Sequence, residues 1–316
     1  MKRIKRLLAF AIATMLLCSL FACGSIVSDV PKKLTLYVTF YPIYALTSMI
    51  AEDIQDVEVK CLVQPQDLCL RSYELSDWDM YMINYGADCI IAGGEGLESF
   101  ETLLQLAAEE RKIPLINVLS GTRFMSFSPD TTPDSESHFF GENPHLYMSA
   151  EGSKEILKNI CDALTVIDPV HADAYVRNYH SAAEVMTEVC AKIKKQTDVC
   201  TTTKVAVFNE SLLYAASEVK LDIVTCIERE SGEGLYGEDL EACIKTILDN
   251  GAKIVLIEEQ APKSLVHDLE ANGFVVAQLD IMNAHEESEG YSAYINALLG
   301  NAQSVANASK KVYSTE

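Results

Sequence analysis

Short apolar segments alternate with amphipathic segments along most of this chain, and this alternation restricts the fold more than any other feature. The strands predicted in the first half are Leu34–Thr39, Val57–Val63, Cys89–Ala92 and Pro114–Val118. The helices predicted between them are Pro42–Ala51, Trp78–Tyr85 and Glu98–Glu110. The strands predicted in the second half are Lys204–Phe208, Asp222–Cys226, Ile254–Ile257 and Phe274–Leu279. Alternating strands and helices build parallel sheets covered by helices, so the sequence predicts an α/β fold.

A long amphipathic segment separates the two halves. Its apolar residues recur at steps of three and four, at Val176, Tyr179, Ala183, Met186, Cys190 and Ile193. Asp168 is the predicted N-cap and Pro169 the first helical residue. A coiled-coil seam is the alternative to the interpretation we prefer, a single long helix that joins two α/β domains.

The predicted organisation has four parts with a ligand cleft between the domains. A signal peptide occupies residues 1–22, an N-terminal α/β domain 23–167, the linking helix 168–200 and a C-terminal α/β domain 201–316. The signal combines four basic residues with the apolar run Leu7–Ala22, and Leu20–Cys23 has the form of a lipobox. We therefore expect Cys23 to carry lipid that anchors the protein to the outer face of the cell membrane. The alternative is ordinary secretion, with Cys23 incidental.

Composition excludes some classes of partner. The formal net charge is −21, and removal of the four basic signal residues leaves −25. A surface this acidic repels nucleic acid, so no nucleic-acid partner is expected. The sequence contains no CxxC pair, GxSxG elbow, HExxH motif, P-loop or dinucleotide-binding glycine fingerprint, so an enzyme is not predicted. The sequence does not assign disulfides among the eight cysteines that follow Cys23.

Polar residues follow several predicted strands, where ligands bind in open parallel sheets. Gln64–Glu74 follows the strand that ends at Val63, and the pair Asn209 and Glu210 follows Phe208. The other candidates are Glu258 and Glu259 after Ile257, Asp280 after Leu279, and His145 at the end of the polar segment Ser120–Pro144. Since these positions come from both halves, a cleft between domains would gather them.

Seven ordered segments resemble those of zinc/manganese-type solute-binding lipoproteins of ABC importers, the ZnuA- and TroA-like family. They are Thr39–Tyr44, Ser72–Ser76 with Asp79, Gly93–Phe100, Asn143–Tyr147, Asn209–Tyr214, Ile257–Gln260 and Leu279–Asp280. The resemblance implies two α/β domains joined by one long helix, with a divalent cation, Zn or Mn, bound between them as cargo. It also implies a monomer that delivers its cargo to an ABC permease and its ATPase.

The same resemblance places the four metal ligands at Arg71, His145, Asn209 and Asp280. Two of these depart from the family pattern, because Arg71 stands where the family has histidine and Asn209 where it has histidine or glutamate. A guanidinium has no lone pair to donate. It repels a cation by about 4 kcal/mol per unit charge at 4 Å and an effective dielectric of 20.

Three interpretations of this divergent site remain open. In the first, Arg71 turns to solvent and Cys69, Glu210 or Glu258 completes the metal sphere, with a thiolate favouring zinc. In the second, the ligand is an anionic metal chelate or another small anion, and Arg71 binds its carboxylate. In the third, the protein has lost ligand capture and serves as a surface adhesin or interaction protein of the same fold.

Overall fold

The structure, a computed structural model, describes residues 33–63, 70–125, 143–198, 200, 203–227, 229 and 232–313. The predicted signal peptide, the lipobox cysteine Cys23 and the candidate ligand Cys69 lie outside these residues. So does most of the predicted polar segment, residues 126–142.

The first half forms a four-stranded parallel sheet in the order β2-β1-β3-β4. Its strands are β1 Leu34–Val38, β2 Val57–Cys61, β3 Cys89–Ala92 and β4 Leu115–Asn117. Its helices are α1 Tyr41–Ile50, α2 Asp77–Gly86 and α3 Glu101–Arg111. All four predicted strands are confirmed, with ends shifted by at most two residues. The apolar runs located them because both faces of a parallel sheet are covered.

Two long helices follow, α4 Ala150–Ile167 and α5 Ala172–Thr197. The 26 residues of α5 correspond to about 39 Å of helix. The prediction of Asp168 as N-cap and Pro169 as first helical residue is wrong, because α5 begins at Ala172 after His171. Asp168 instead ends α4 and accepts a hydrogen bond from the Tyr175 hydroxyl at 2.8 Å. The predicted stripe is correct at Met186 and Ile193 but shifted at its start, where Tyr175 is buried and Val176 exposed.

The second half repeats the topology of the first. Its strands are β5 Lys204–Phe208, β6 Asp222–Cys226, β7 Ile254–Glu258 and β8 Val275–Leu279, all parallel in the order β6-β5-β7-β8. Its helices are α6 Leu213–Glu218, α7 Gly237–Asp249, α8 Lys263–Ala271 and α9 Gly290–Tyr313. In both halves the strand order reverses between the first and third strands, which is the position where such sheets bind ligands.

Helix α9 joins the two halves. It packs against β8 of its own half and also against α1 and α5. One hydrophobic core therefore includes residues of both halves, while a second apolar cluster around Phe208 and Leu265 lies in the C-terminal half alone. Within the described ranges, none of the helices combines the length and apolar character that crossing a bilayer requires.

A buried carboxylate fixes the carboxyl ends of β1 and β3. Glu98, 3% exposed, accepts hydrogen bonds from the Thr39 hydroxyl at 2.6 Å and the Gly93 amide at 2.8 Å through Oε1. Its Oε2 accepts from the Gly94 amide at 3.0 Å. Glu98 thus ties two of the segments singled out by sequence, Thr39–Tyr44 and Gly93–Phe100, to one another.

We expect Glu98→Ala to lower the free energy of unfolding by about 3 kcal/mol, because three buried donors lose their acceptor. Urea denaturation at pH 7 measures this. The matched control is Glu110→Ala, which removes an exposed carboxylate from α3. Equal stability of the two variants would show that the Glu98 network does not hold the strand ends.

Candidate functional site

Arg71 lies on a short 3-10 turn, Leu70–Ser72, whose position is fixed by its neighbours. Ser99 Oγ lies 3.2 Å from the Leu70 carbonyl and 2.5 Å from the Tyr73 carbonyl. The Tyr73 hydroxyl donates to Asp79 at 2.8 Å, and Asp79 forms a capping box with Ser76 at the start of α2. The contacts of the segment Ser72–Ser76 and of Asp79 therefore fix the position of the turn that carries Arg71.

The Arg71 guanidinium points inward and crosses between the two halves. Its Nη2 lies 2.5 Å from Glu210 Oε1, and the two side chains are only 20% and 13% exposed. Arg71 belongs to the N-terminal half and Glu210 to the turn that follows β5. A second contact between the halves adjoins this ion pair, because Asn143 Nδ2 donates to the Glu210 carbonyl at 2.7 Å.

His145 lies beside this ion pair, with its Nδ1 3.9 Å from Glu210 Oε1. The same Nδ1 is 2.9 Å from Asn143 Oδ1, and the amide of Asn143 is oriented by its bond to Glu210. Burial, reinforced by the nearby Arg71 charge, lowers the pKa of His145 to about 3. The ring is therefore neutral at pH 7, with Nδ1 as donor and Nε2 carrying the lone pair.

A small cavity of about 10 Å³ lies between the halves, close to the smallest volume that holds one water molecule. Its lining residues are Leu70, Leu97, His145, Tyr147, Asn209, Ser211, Ile281 and Asn283. Ser211 Oγ is buried and has no hydrogen-bond partner among the described residues. A buried hydroxyl without a partner costs about 1–3 kcal/mol, which a ligand in the cavity would recover.

Asn209 lies in this cavity wall with strained backbone geometry. Its backbone φ is 145°, a value that residues other than glycine rarely adopt. Its side-chain Oδ1 accepts a hydrogen bond from the Ser211 amide at 2.9 Å. Such strain costs of order 1–3 kcal/mol and is typical of ligand sites. The side-chain oxygen of Asn209 therefore already accepts one hydrogen bond from the protein.

Asp280 pairs with a histidine of its own half, His285. Its Oδ2 lies 2.8 Å from His285 Nε2, and its Oδ1 accepts from the Met282 amide at 2.6 Å. Burial opposes a charge on His285, but hydrogen bonds to Asp280 and Glu289 outweigh burial and raise the pKa of the ring. The His285 ring stacks on the Tyr41 ring of α1, with the two centroids 5.0 Å apart. This ring contact also connects the two halves.

Glu258 is fully buried at the end of β7. Its Oε1 pairs with the Arg229 guanidinium and accepts from the Gly232 amide at 3.1 Å. Its role in the described structure is to hold the loop after β6. Among the described residues, no group of three or more His, Cys, Asp or Glu side chains is arranged to hold a metal ion.

The structure thus brings four of the predicted positions together, Arg71, His145, Asn209 and Glu210, whereas Asp280 pairs with His285 and Glu258 with Arg229. Sequence reasoning assigned no role to Asn143, Ser211 or His285. Asn143 and Ser211 lie within segments already singled out, Asn143–Tyr147 and Asn209–Tyr214. Their membership of these segments was the only indication in the sequence that they could belong to the site. His285 gave none, because it lies in a polar stretch whose path depends on the whole fold.

Comparison with known proteins gives a match over nearly the whole described chain. The profile of the family described as zinc-uptake complex component A, periplasmic (ZnuA) matches residues 36–308. Zinc-binding lipoprotein AdcA of Streptococcus pneumoniae (strain ATCC BAA-255 / R6) is 24% identical over 326 aligned positions, covering 96% of this chain and 60% of AdcA. The chain thus spans about 60% of the length of the curated relatives that it matches first.

Solved structures agree in fold. The solute-binding protein FpvC from Pseudomonas aeruginosa in complex with Mn2+ has a TM-score of 0.75 at 22% identity, covering 89% of this chain and 100% of FpvC. Zn(II)-bound AdcA from Streptococcus pneumoniae has a TM-score of 0.72 at 18% identity, covering 88% of this chain and 58% of AdcA. These likenesses confirm the predicted two-sheet α/β architecture.

We expect the stability of the metal-free protein to fall by about 2 kcal/mol between pH 7.5 and pH 5 on account of His145 alone. The folded ring, with a pKa of about 3, binds fewer protons than the unfolded ring, whose pKa is about 6.5. Its contribution is therefore complete above pH 6.5 and declines as the pH falls. Urea unfolding of the protein and of His145→Asn at both pH values measures the difference.

In that experiment His145→Asn should lose less stability on acidification than the unchanged protein, by about 2 kcal/mol. His180→Asn is the control, because it removes an imidazole that is exposed on α5. An identical loss in His145→Asn and the unchanged protein would mean that the folded His145 ring takes up a proton freely.

Proposed function

The chain belongs to the ZnuA family, and from this premise we propose that it is an extracytoplasmic solute-binding lipoprotein of an ABC importer. Family membership confirms the resemblance seen in the sequence and agrees with a binding protein rather than an enzyme. The proposed cargo is a divalent metal, Zn or Mn, that travels with a carboxylate-bearing ligand. The single observation that carries this choice of cargo is the Arg71–Glu210 ion pair beside neutral His145.

The position and polarity of the cavity support ligand capture between the halves. Ser211 offers a buried hydroxyl that has no partner among the described residues, and His145 offers a neutral ring with a lone pair on Nε2. The cavity is lined by Leu97 after β3 and Ser211 after β5, which are strands at the two reversals of strand order, the usual ligand position of such sheets. Hydrogen bonding of the other ring nitrogen, as from His145 to Asn143, is typical of histidines that bind metals.

The charges at the site favour a metal complex over a bare ion. A bare divalent ion near Arg71 meets repulsion, and it must also take Glu210 from its guanidinium partner. An ion pair that loses one partner leaves the other uncompensated, which is strongly unfavourable in a buried site. A metal carboxylate complex avoids this cost, because its metal binds Glu210 and His145 while its carboxylate pairs with Arg71.

The relatives support a divalent metal as the cargo. AdcA is described as zinc-binding, and FpvC was solved with Mn2+ and with Ni2+. In the proposed mechanism, the cleft opens to admit the cargo, since the enclosed cavity measures only about 10 Å³. It then closes over the cargo, and the movement is modest because α5 and α9 both resist large rotation of the halves. The loaded protein, a monomer anchored through lipid on Cys23, then delivers the cargo to a permease driven by its ATPase.

A second candidate function is that of a surface adhesin or interaction protein of the same fold that has lost metal capture. The mutual pairing of charges favours it, because Glu210 is occupied by Arg71 and Asp280 by His285. Under this hypothesis the polar groups between the halves only hold them together.

We expect isothermal titration of metal-stripped protein at pH 7 to give tighter binding for zinc citrate than for zinc chloride, by tenfold or more, which corresponds to about 1.4 kcal/mol. The reason is that only the complex supplies an anion for Arg71. Citrate alone is the control for anion binding without metal. Equal affinity for zinc citrate and zinc chloride would contradict the proposal that the cargo is a metal complex. The absence of binding heat with both zinc forms would favour the adhesin hypothesis.

We expect Arg71→His to raise the affinity for zinc chloride at least about tenfold and to abolish the preference for zinc citrate. The substitution removes the repelling charge, frees Glu210 and adds a nitrogen donor. Arg177→His is the matched control, because it changes an exposed arginine on α5. Unchanged zinc affinity in Arg71→His would show that Arg71 does not decide the cargo.

A further inference from the structure

Three exposed aromatic side chains form a continuous row of contacting rings on helix α2, here called the aromatic face. Trp78, Tyr81 and Tyr85 are 65%, 52% and 76% exposed. The ring centroids of Trp78 and Tyr81 are 5.5 Å apart at an interplanar angle of 17°, and those of Tyr81 and Tyr85 are 4.9 Å apart. Their spacing of three and four residues puts all three on one side of the helix.

The aromatic face differs in character from the rest of this acidic protein. From residue 80 to residue 86 the helix carries no charged side chain, although the whole chain has a formal net charge of −21. Trp78 is also the only tryptophan of the chain. Stacked aromatic rings left in water mark an interaction surface, because their apolar area is large and their entropy loss on binding is small.

The end of α2 adjoins the point where the chain enters the described fold. The Asp88 amide donates to the Thr35 carbonyl at 2.9 Å, and Asp88 Oδ2 accepts from the Thr35 amide at 3.1 Å. Tyr85 lies three residues before Asp88, and Thr35 is the second residue of β1. Cys23 precedes Leu34 by eleven positions, and an extended chain spans at most about 3.5 Å per residue.

We propose that the aromatic face rests on the headgroup region of the lipid bilayer and orients the N-terminal half on the membrane. The proposal depends on the predicted lipid at Cys23, which would hold Leu34, at the start of β1, within about 40 Å of the membrane surface. Trp and Tyr are the side chains enriched at membrane interfaces, where one part of the ring is apolar and the rest is hydrated. Tethering raises the effective concentration of the face at the bilayer, so a weak contact suffices.

Trp78 permits a direct test, because its fluorescence reports on one known place in the chain. The full lipoprotein, with its acyl group checked by mass spectrometry, is reconstituted into phosphatidylcholine vesicles that contain brominated lipids. We expect a blue shift of the emission and quenching that is strongest when the bromines lie near the headgroups. In vesicles with anionic phosphatidylglycerol, quenching should be weaker and should increase with salt, which screens repulsion from the acidic surface.

Variants that keep Trp78 separate this contact from tethering alone. We expect the double variant Tyr81→Ser, Tyr85→Ser to lose most of the quenching, with the circular dichroism spectrum unchanged. Tyr236→Ser is the matched control, because Tyr236 is 64% exposed on the C-terminal half. The proposal is overturned if Trp78 emission does not respond to the bromines, if Cys23 carries no acyl group, or if the blue shift depends on protein concentration without lipid, which would indicate a second copy.

Discussion

The Arg71–Glu210 ion pair is the interaction on which the character of this site depends. It joins the N-terminal half to the C-terminal half, and it places a positive charge beside the buried ring of His145. The guanidinium compensates Glu210 and helps to keep His145 neutral. Under the proposed function, a metal would take over the positive charge that the guanidinium now supplies to Glu210.

The fold supports this interaction by fixing the elements that carry it. Two sheets of identical strand order turn the carboxyl ends of their strands toward a common space, and α5 and α9 connect the halves through a shared core. Further contacts cross the same space, from Asn143 to the Glu210 carbonyl and from Tyr41 to His285. Because rigid helices and several polar contacts act together, opening requires a ligand that replaces the polar contacts it breaks.

The strands and the linking helix were predictable from sequence, because buried parallel strands are apolar throughout and their ends are marked by polar residues. The start of the linking helix was not predictable, because the Asp168 side chain accepts a hydrogen bond from the Tyr175 hydroxyl instead of capping the backbone amides of the helix. The candidate site was predictable only as a set of strand-end positions. Which acidic side chain pairs with which basic one depends on the directions in which the side chains point. The pairing of Asp280 with His285 therefore could not be predicted from a local sequence pattern.

The pairing of Asp280 also bears on how cargo would be held. In the described arrangement two carboxylates of the cleft, Glu210 and Asp280, are each matched by a cationic or protonatable side chain from the loops around them. A divalent ion that entered alone would have to displace both partners and leave their charges without compensation. A complex that carries its own carboxylate would leave Arg71 paired, which is why the proposed cargo is a metal complex rather than a bare ion.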